Sequence, residues 1–311
     1  MSRYGLVLLL VLEIAVFALW IPETFLTASN FQSIVSSQAV LMILTLGTAI
    51  PIVAGEFDIS IAGTMTFCMT VLGYLTVLHG WALAPALLVV LAGALVIGVV
   101  NAGLVVRVGI DSIVATLGTG TALGGLSLML SESALISGLP QSLHTAATSK
   151  LLGVPLPVYY GLALATLMWV LYEHTALGRR LIFAGAGAEA GRLSGVKVDR
   201  VRAGSFVGSA LLACFAGVVL AGQLGTADPT GGLAFLLPAV AGVFLGATAF
   251  HPGRPNAWGS VVALYFLVAG VTGLQLLGAG GWIQDVFNGV ALIVGVAVVR
   301  LLSNRTGIAT R

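Results

Sequence analysis

Two carboxylates stand in the stretch PIVAGEFDISIAG, at Glu56 and Asp58, among residues that are otherwise apolar or small. An ionisable side chain at bilayer depth costs on the order of 2.5–3.5 kcal/mol on insertion scales, so by default it marks a functional position. Pro51, Gly55 and Gly63 bracket the pair, and these residue types break or loosen a helix. A broken helix at depth is tolerated where its freed backbone lines a cavity, as in many transporters. The stretch also fits the inner surface, with Asp58 capping the helix that follows. The two readings are compatible.

Other chemistry is sparse. Asn101, Thr116, Thr119, Ser127 and Gln223 are uncharged polar residues within apolar runs. Most such residues bond to a neighbouring helix or back to the carbonyl four residues earlier. The four histidines, His79, His144, His174 and His251, show no metal-ligand spacing. Cys68 and Cys214 each fall inside an apolar run and read as small core residues. There is no GxxxxGK[ST] phosphate loop and no nucleophile elbow, so an enzyme reading has little support. No cofactor, metal or nucleic-acid partner is implied.

The elements that must hold these residues are membrane helices. Only 8% of the 311 residues are charged and 59% are hydrophobic, with a mean hydropathy of +1.10. A soluble globule carries about 25% charged residues. Apolar runs long enough to cross a bilayer recur along the whole chain, without the alternation of a barrel strand. The expected fold is an all-α polytopic membrane protein, a single transmembrane domain over 1–311. About ten spans are expected, near 5–21, 32–54, 59–78, 83–105, 112–130, 156–173, 203–223, 234–250, 258–277 and 282–302. Arg3 ahead of an apolar run imitates a signal peptide, but no small-residue cleavage site precedes Pro22, so the segment is kept as the first span. With both termini cytoplasmic, twelve of the thirteen basic residues fall inside and Lys150 alone falls outside.

Two connections are too long to be tight turns. The external one, 131–155, is rich in Ser, Leu and Gly and is expected to fold partly as a re-entrant or surface helix. The cytoplasmic one, 174–202, contains GAGAEAGRLSGVKVDRVR and gathers eight charged residues between Arg179 and Arg202. It reads as a short helix with Glu189 in its first turn and Gly195 as its left-handed stop. So short a helix needs a docking partner to be stable. Anionic headgroups could serve, but the small face of Ala188, Ala190, Gly191 and Leu193 suits a protein cleft.

The stretch GRRLIFAGAGAEAGRLSGVKVDRVR resembles the coupling loop of ribose-type permease subunits of bacterial ATP-binding-cassette importers. AGEFDISIAG, VNAGLVVRVGIDSIVATLGTGTALGGL, LAGQLGTADPTGG and LGATAFHPGRPNAWGS match the same family in the same order. The resemblance implies an inner-membrane importer half: two permease copies, identical or different, form the path. ATP-binding-cassette ATPase subunits lie below, a solute-binding protein docks above, and membrane lipid surrounds the bundle. It implies that Glu189, Ala190, Gly191, Arg192 and Gly195 seat in the ATPase, and that Glu56, Asp58, Ser60, Asn101 and Thr116 lie nearest the path. Three departures touch that path. Gly55-Glu56 replaces a usual Gly-Gly, Leu236 and Pro238 stand where an acidic pair is usual, and Ala247 replaces a second glycine. Alternatives are a permease for nucleosides or branched-chain amino acids, or a secondary transporter in which Glu56 and Asp58 carry protons.

Overall fold

In lipid a chain can satisfy its amides only within itself, so apolar runs fold as helices or closed barrels. The computed structural model describes residues 3–187, 191, 193 and 195–305, with backbone alone for 302–305, and its apolar runs are helices. They are α1 (Gly5–Trp20), α2 (Pro22–Phe25), α3 (Ala28–Ser37), α4 (Ala39–Val53), α5 (Ile61–Gly73), α6 (Leu83–Ala102) and α7 (Ser112–Leu130). Then follow α8 (Gln141–Thr148), α9 (Leu156–His174), α10 (Ala176–Ala186), α11 (Val198–Leu224), α12 (Leu233–Gly246), α13 (Ala257–Leu276) and α14 (Trp282–Arg305). Wider π-helical turns, Tyr74–Leu78 and Gly103–Val108, extend α5 and α6.

Among the described residues, eight helical stretches are long and apolar enough to cross a membrane. Two shorter apolar helices, Gly5–Trp20 and Leu233–Gly246, occupy the remaining two expected spans. At about 1.5 Å per residue, fourteen residues reach only about 21 Å of the roughly 30 Å hydrocarbon core. α12 stops at Gly246 where 234–250 was expected because the chain turns there and Asn256 holds the turn. Its Nδ2 donates to Gly246 O (3.3 Å), Ala249 O (2.9 Å) and Arg254 O (3.3 Å), while its Oδ1 accepts from Gly259 N at the start of α13 (2.7 Å).

α4, α5, α11 and α13 form the interior, and α14 faces outward. The 61–78 span buries 67% of its residues, the 282–301 span 11%. Glycines permit the close crossings. A Cβ on Gly217 of α11 would lie 2.4 Å from Met65 O of α5, and one on Gly98 of α6 would lie 2.7 Å from Val207 Cα. Small residues let membrane helices approach to backbone contact where dispersion is strongest.

The connections sort to two ends. At one, Phe250 N donates to Arg3 O (2.8 Å) and Arg254 pairs with Glu173, joining the N-terminus, the 247–256 turn and the α9–α10 corner. At the other, β1 (Ile136–Ser137) pairs antiparallel with β4 (Thr226–Ala227), Ile136 opposite Ala227. The stretch 131–155 also holds the hairpin of β2 (Lys150–Leu151) and β3 (Val154–Pro155). Its surface helix α8 docks on the end of α11, where His144 Nδ1 donates to Gly222 O (2.8 Å).

Gly217→Ala should cost about 1–3 kcal/mol because its methyl collides with a backbone carbonyl that cannot yield. Gly93→Ala, with open space around the new methyl, should be neutral or slightly stabilising. Thermal unfolding of the purified protein in detergent compares the two directly.

Candidate functional site

The carboxylates lie in the break between α4 and α5. α4 ends at Val53 and is stopped by Gly55, whose φ of +83° is left-handed backbone. Glu56 N reaches back to Pro51 O (2.9 Å) and Gly55 N to Ile52 O (3.1 Å), the paired bonds of a Schellman stop. Residues 56–60 then run without regular structure beside α7. Their freed amides find side chains there: Phe57 N donates to Ser112 Oγ (3.2 Å) and Ile59 N to Thr116 Oγ1 (3.0 Å). The spacing explains the fit. Two residues of extended chain rise about 6.6 Å, and residues four apart on a helix are about 6 Å apart along its axis.

Asp58 lies two residues before Ser60, the N-cap of α5. Its Oδ1 accepts from Ser60 N (3.0 Å) and from Ser60 Oγ (2.5 Å), a local turn that positions the N-cap residue, while no side chain caps the amides of α5 itself. Asn101 Nδ2 of α6 donates to Ser60 Oγ (2.7 Å), completing a chain Asn101–Ser60–Asp58. All three side chains are buried, as is Thr116. Asp58 forms no salt bridge among the described residues. Ser209 Oγ of α11 sits beside its carboxylate, yet neither that hydroxyl nor Asp58 Oδ2 closes a hydrogen bond of normal geometry. Asn101 Oδ1 is likewise buried without a partner. Orphan polar atoms in a buried site are costly, which makes three of them around one carboxylate a feature needing an explanation.

Glu56 turns the other way. Its Oε1 accepts from both Nε and Nη2 of Arg202, in the second turn of α11. Beside it, Gly55 lies against Gly185 near the end of α10: a Cβ on Gly55 would sit 3.1 Å from Gly185 Cα, and one on Gly185 would sit 2.2 Å from Val53 O. Residues 185 and 202 flank the short basic segment. The break is therefore held on both sides of the 186–201 segment.

Within that loop Gly195 has φ +78° and Val196 N donates to Gly191 O (3.0 Å), the six-to-one bond of a helix stop. Glu189, Ala190 and Arg192 lie outside the described residues. Of the five expected path residues, Asp58, Ser60 and Asn101 come together. Thr116 supports the same break through Ile59, and Glu56 joins the loop instead. Thr119 and Ser127 bond back to Ala115 O (3.0 Å) and Leu123 O (2.8 Å) within α7, as their type suggests. Ser209, Ser112, Arg202 and Gly185 were not singled out. Ser209 and Ser112 carry no sequence signal beyond being hydroxyls in or beside spans. Cys68 and Cys214 are buried and unlinked. No cluster of three or more metal-ligating side chains occurs among the described residues.

What the arrangement offers chemically is recognition without reaction: two orphan acceptor oxygens and a hydroxyl, with no nucleophile–base pair. A family described as branched-chain amino acid transport system / permease component matches residues 30–296. The D-allose transport system permease protein AlsC of Escherichia coli (strain K12) is 28% identical over 305 residues, covering 97% of this chain and 93% of its own. The autoinducer 2 import system permease protein LsrD of Salmonella typhimurium is 31% identical over 298 residues, 94% and 89% of the two chains. LsrC of Salmonella paratyphi B is 30% identical over 297 residues, 96% and 85%. None of these is named for ribose. No solved structure matches.

Thr116→Val should cost about 1–2 kcal/mol, because it strands the half-buried Ile59 amide. Thr119→Val, which loses only a bond within its own helix, should stay within roughly 0.5 kcal/mol. The difference is readable as a gap in apparent melting temperature between the two purified variants.

Proposed function

The chain belongs to the branched-chain amino acid transport system / permease component family, and from that premise we propose that it is the translocating subunit of an ATP-binding-cassette importer for a sugar or sugar-like solute. It is a multi-pass protein of the bacterial inner membrane and a permease component rather than an enzyme. The sugar class rests on near full-length similarity to permeases named for D-allose and autoinducer 2. In this reading the chain has ten spans, both termini and the 174–202 loop face the cytoplasm, and a second permease copy completes the path. A solute-binding protein delivers on the opposite face, and partner ATPases dock on the segment from Glu189 to Gly195.

The observation that carries the mechanism is the double hold on the break, Glu56 on Arg202 and Gly55 on Gly185. A motor that moves the loop changes the bundle only if the loop makes different contacts in the two states of the path. The two holds supply such contacts, and the nearer lies two residues before Asp58. In the present arrangement Asp58, Ser60 and Asn101 are closed off from solvent. Displacing residues 54–60 would open the Asp58 Oδ2, Asn101 Oδ1 and Ser209 Oγ atoms to solute hydroxyls, which accept and donate in kind. Binding by a few such bonds stays weak enough to release inward.

The proton-carrying alternative separates cleanly. Reconstituted with its ATPase and binding protein, the chain should take up solute on addition of ATP and not on a proton gradient alone. Uptake by the chain alone, driven by the gradient, overturns the reading. Asp58→Asn should keep the ATPase bound yet lower uptake roughly tenfold or more, the loss of one charge-assisted hydrogen bond of about 1.5–3 kcal/mol.

A further inference from the structure

A cavity of about 510 Å³ opens beside the basic loop, between the ends of α4, α9 and α11 and the body of α10. Its size falls in the range of about 300–1,000 Å³ typical of sites for small molecules. The walls are apolar, with Ile50, Met168 and Leu171 supplied by the last turns of two spans. The rim is basic, with Arg180, Lys197 and Arg200, all exposed. None of the three forms a salt bridge with a carboxylate among the described residues, whereas Arg202 and Arg254 on the same end both do. Gly204 and Gly208 of α11 face it without side chains, which keeps it open.

This combination has a place in the membrane. In the ten-span reading the greasy walls belong to the ends of membrane helices and the cations to the connection between them, which sets the cavity at the boundary between acyl chains and headgroups. A soluble anion would match the rim and waste the walls; a neutral lipid would match the walls and waste the rim. We propose that the cavity binds one anionic phospholipid of the leaflet on the basic side. Its phosphate lies among Arg180, Lys197 and Arg200, and the upper acyl chain lies on Ile50, Met168 and Leu171. Basic pockets between membrane helices are suited to anionic headgroups by the same physics. The site adjoins Gly195 and Val201, so an occupying lipid braces the junction between the coupling segment and α11. The inference goes beyond the importer reading and does not depend on the solute.

Native mass spectrometry of the full chain in detergent, titrated with phosphatidylglycerol or phosphatidylcholine, tests it. One phosphatidylglycerol should bind per chain, well ahead of phosphatidylcholine. Replacing Arg180, Lys197 and Arg200 by Gln should weaken that binding roughly fivefold for each cation removed, and Arg107→Gln, a cation elsewhere on the same side, should not. Gly204→Leu fills the cavity with every charge kept, and it too should abolish the adduct. Equal binding of the two lipids, or full phosphatidylglycerol binding in Gly204→Leu, overturns the proposal. The first result removes the charge selectivity; the second shows only diffuse attraction to a basic surface. Unchanged melting temperatures for Gly204→Leu and Arg107→Gln establish that the variants fold.

Discussion

A chain that turns from one packed helix into the next must find partners for the amides it frees, and here that requirement governs the region around residues 54–60. Buried amides there must be paired within the protein. The chain answers with side chains. Ser112 and Thr116 of α7 take the amides of Phe57 and Ile59, and Asp58 takes that of Ser60. Close approach of α7 is a precondition, and glycine makes it possible. A Cβ on Gly120 would lie 3.0 Å from Ser60 Cα, and one on Gly63 would lie 2.6 Å from Gly120 O. The break is therefore a built junction rather than a frayed end.

The same junction explains why two neighbouring carboxylates serve different ends. Asp58 spends one oxygen on Ser60, the residue before α5, and leaves the other in a buried pocket with Asn101 and Ser209. Glu56, two residues earlier, reaches Arg202, so an otherwise expensive buried charge is offset by a partner. The pair ties the start of α11 to the end of α4, while Gly55 and Gly185 tie the end of α10 to the same spot. Together they give any movement of the loop a short route into the bundle through packed contacts. Packed elements of this kind switch between discrete arrangements rather than bend continuously.

Much of this was readable beforehand, for identifiable reasons. Apolar runs between Gly, Pro and polar breakers placed the helices, because lipid leaves the backbone no other solution. Gly55 and Gly195 were both recognisable as stops, and both have positive φ. Asp58 could be read as a capping residue or as a buried functional carboxylate; the structure has it buried and bonded to Ser60, the residue before α5, rather than capping the helix amides themselves. What the sequence concealed was pairing at a distance. Glu56 was grouped with Asp58 by adjacency, but its partner lies 146 positions away. Nothing local marks Gly185 as a contact of Gly55, or Ser209 as a neighbour of Asp58, since serine and glycine abound in membrane helices as general packing residues. The shortness of α12 was hidden too, because residues 247–250 read as apolar span while Asn256 bends them into a turn.

The central claim is that motion of the basic loop reaches the break through the Glu56–Arg202 pair, and a charge swap in the reconstituted importer tests it most directly. Glu56→Arg and Arg202→Glu, each alone, should leave ATP hydrolysis running with little solute moved. The double exchange, which restores opposite charges at the same two places, should recover most of the uptake per ATP. Wild-type uptake per ATP in both single variants, or no recovery in the double exchange, would contradict the account.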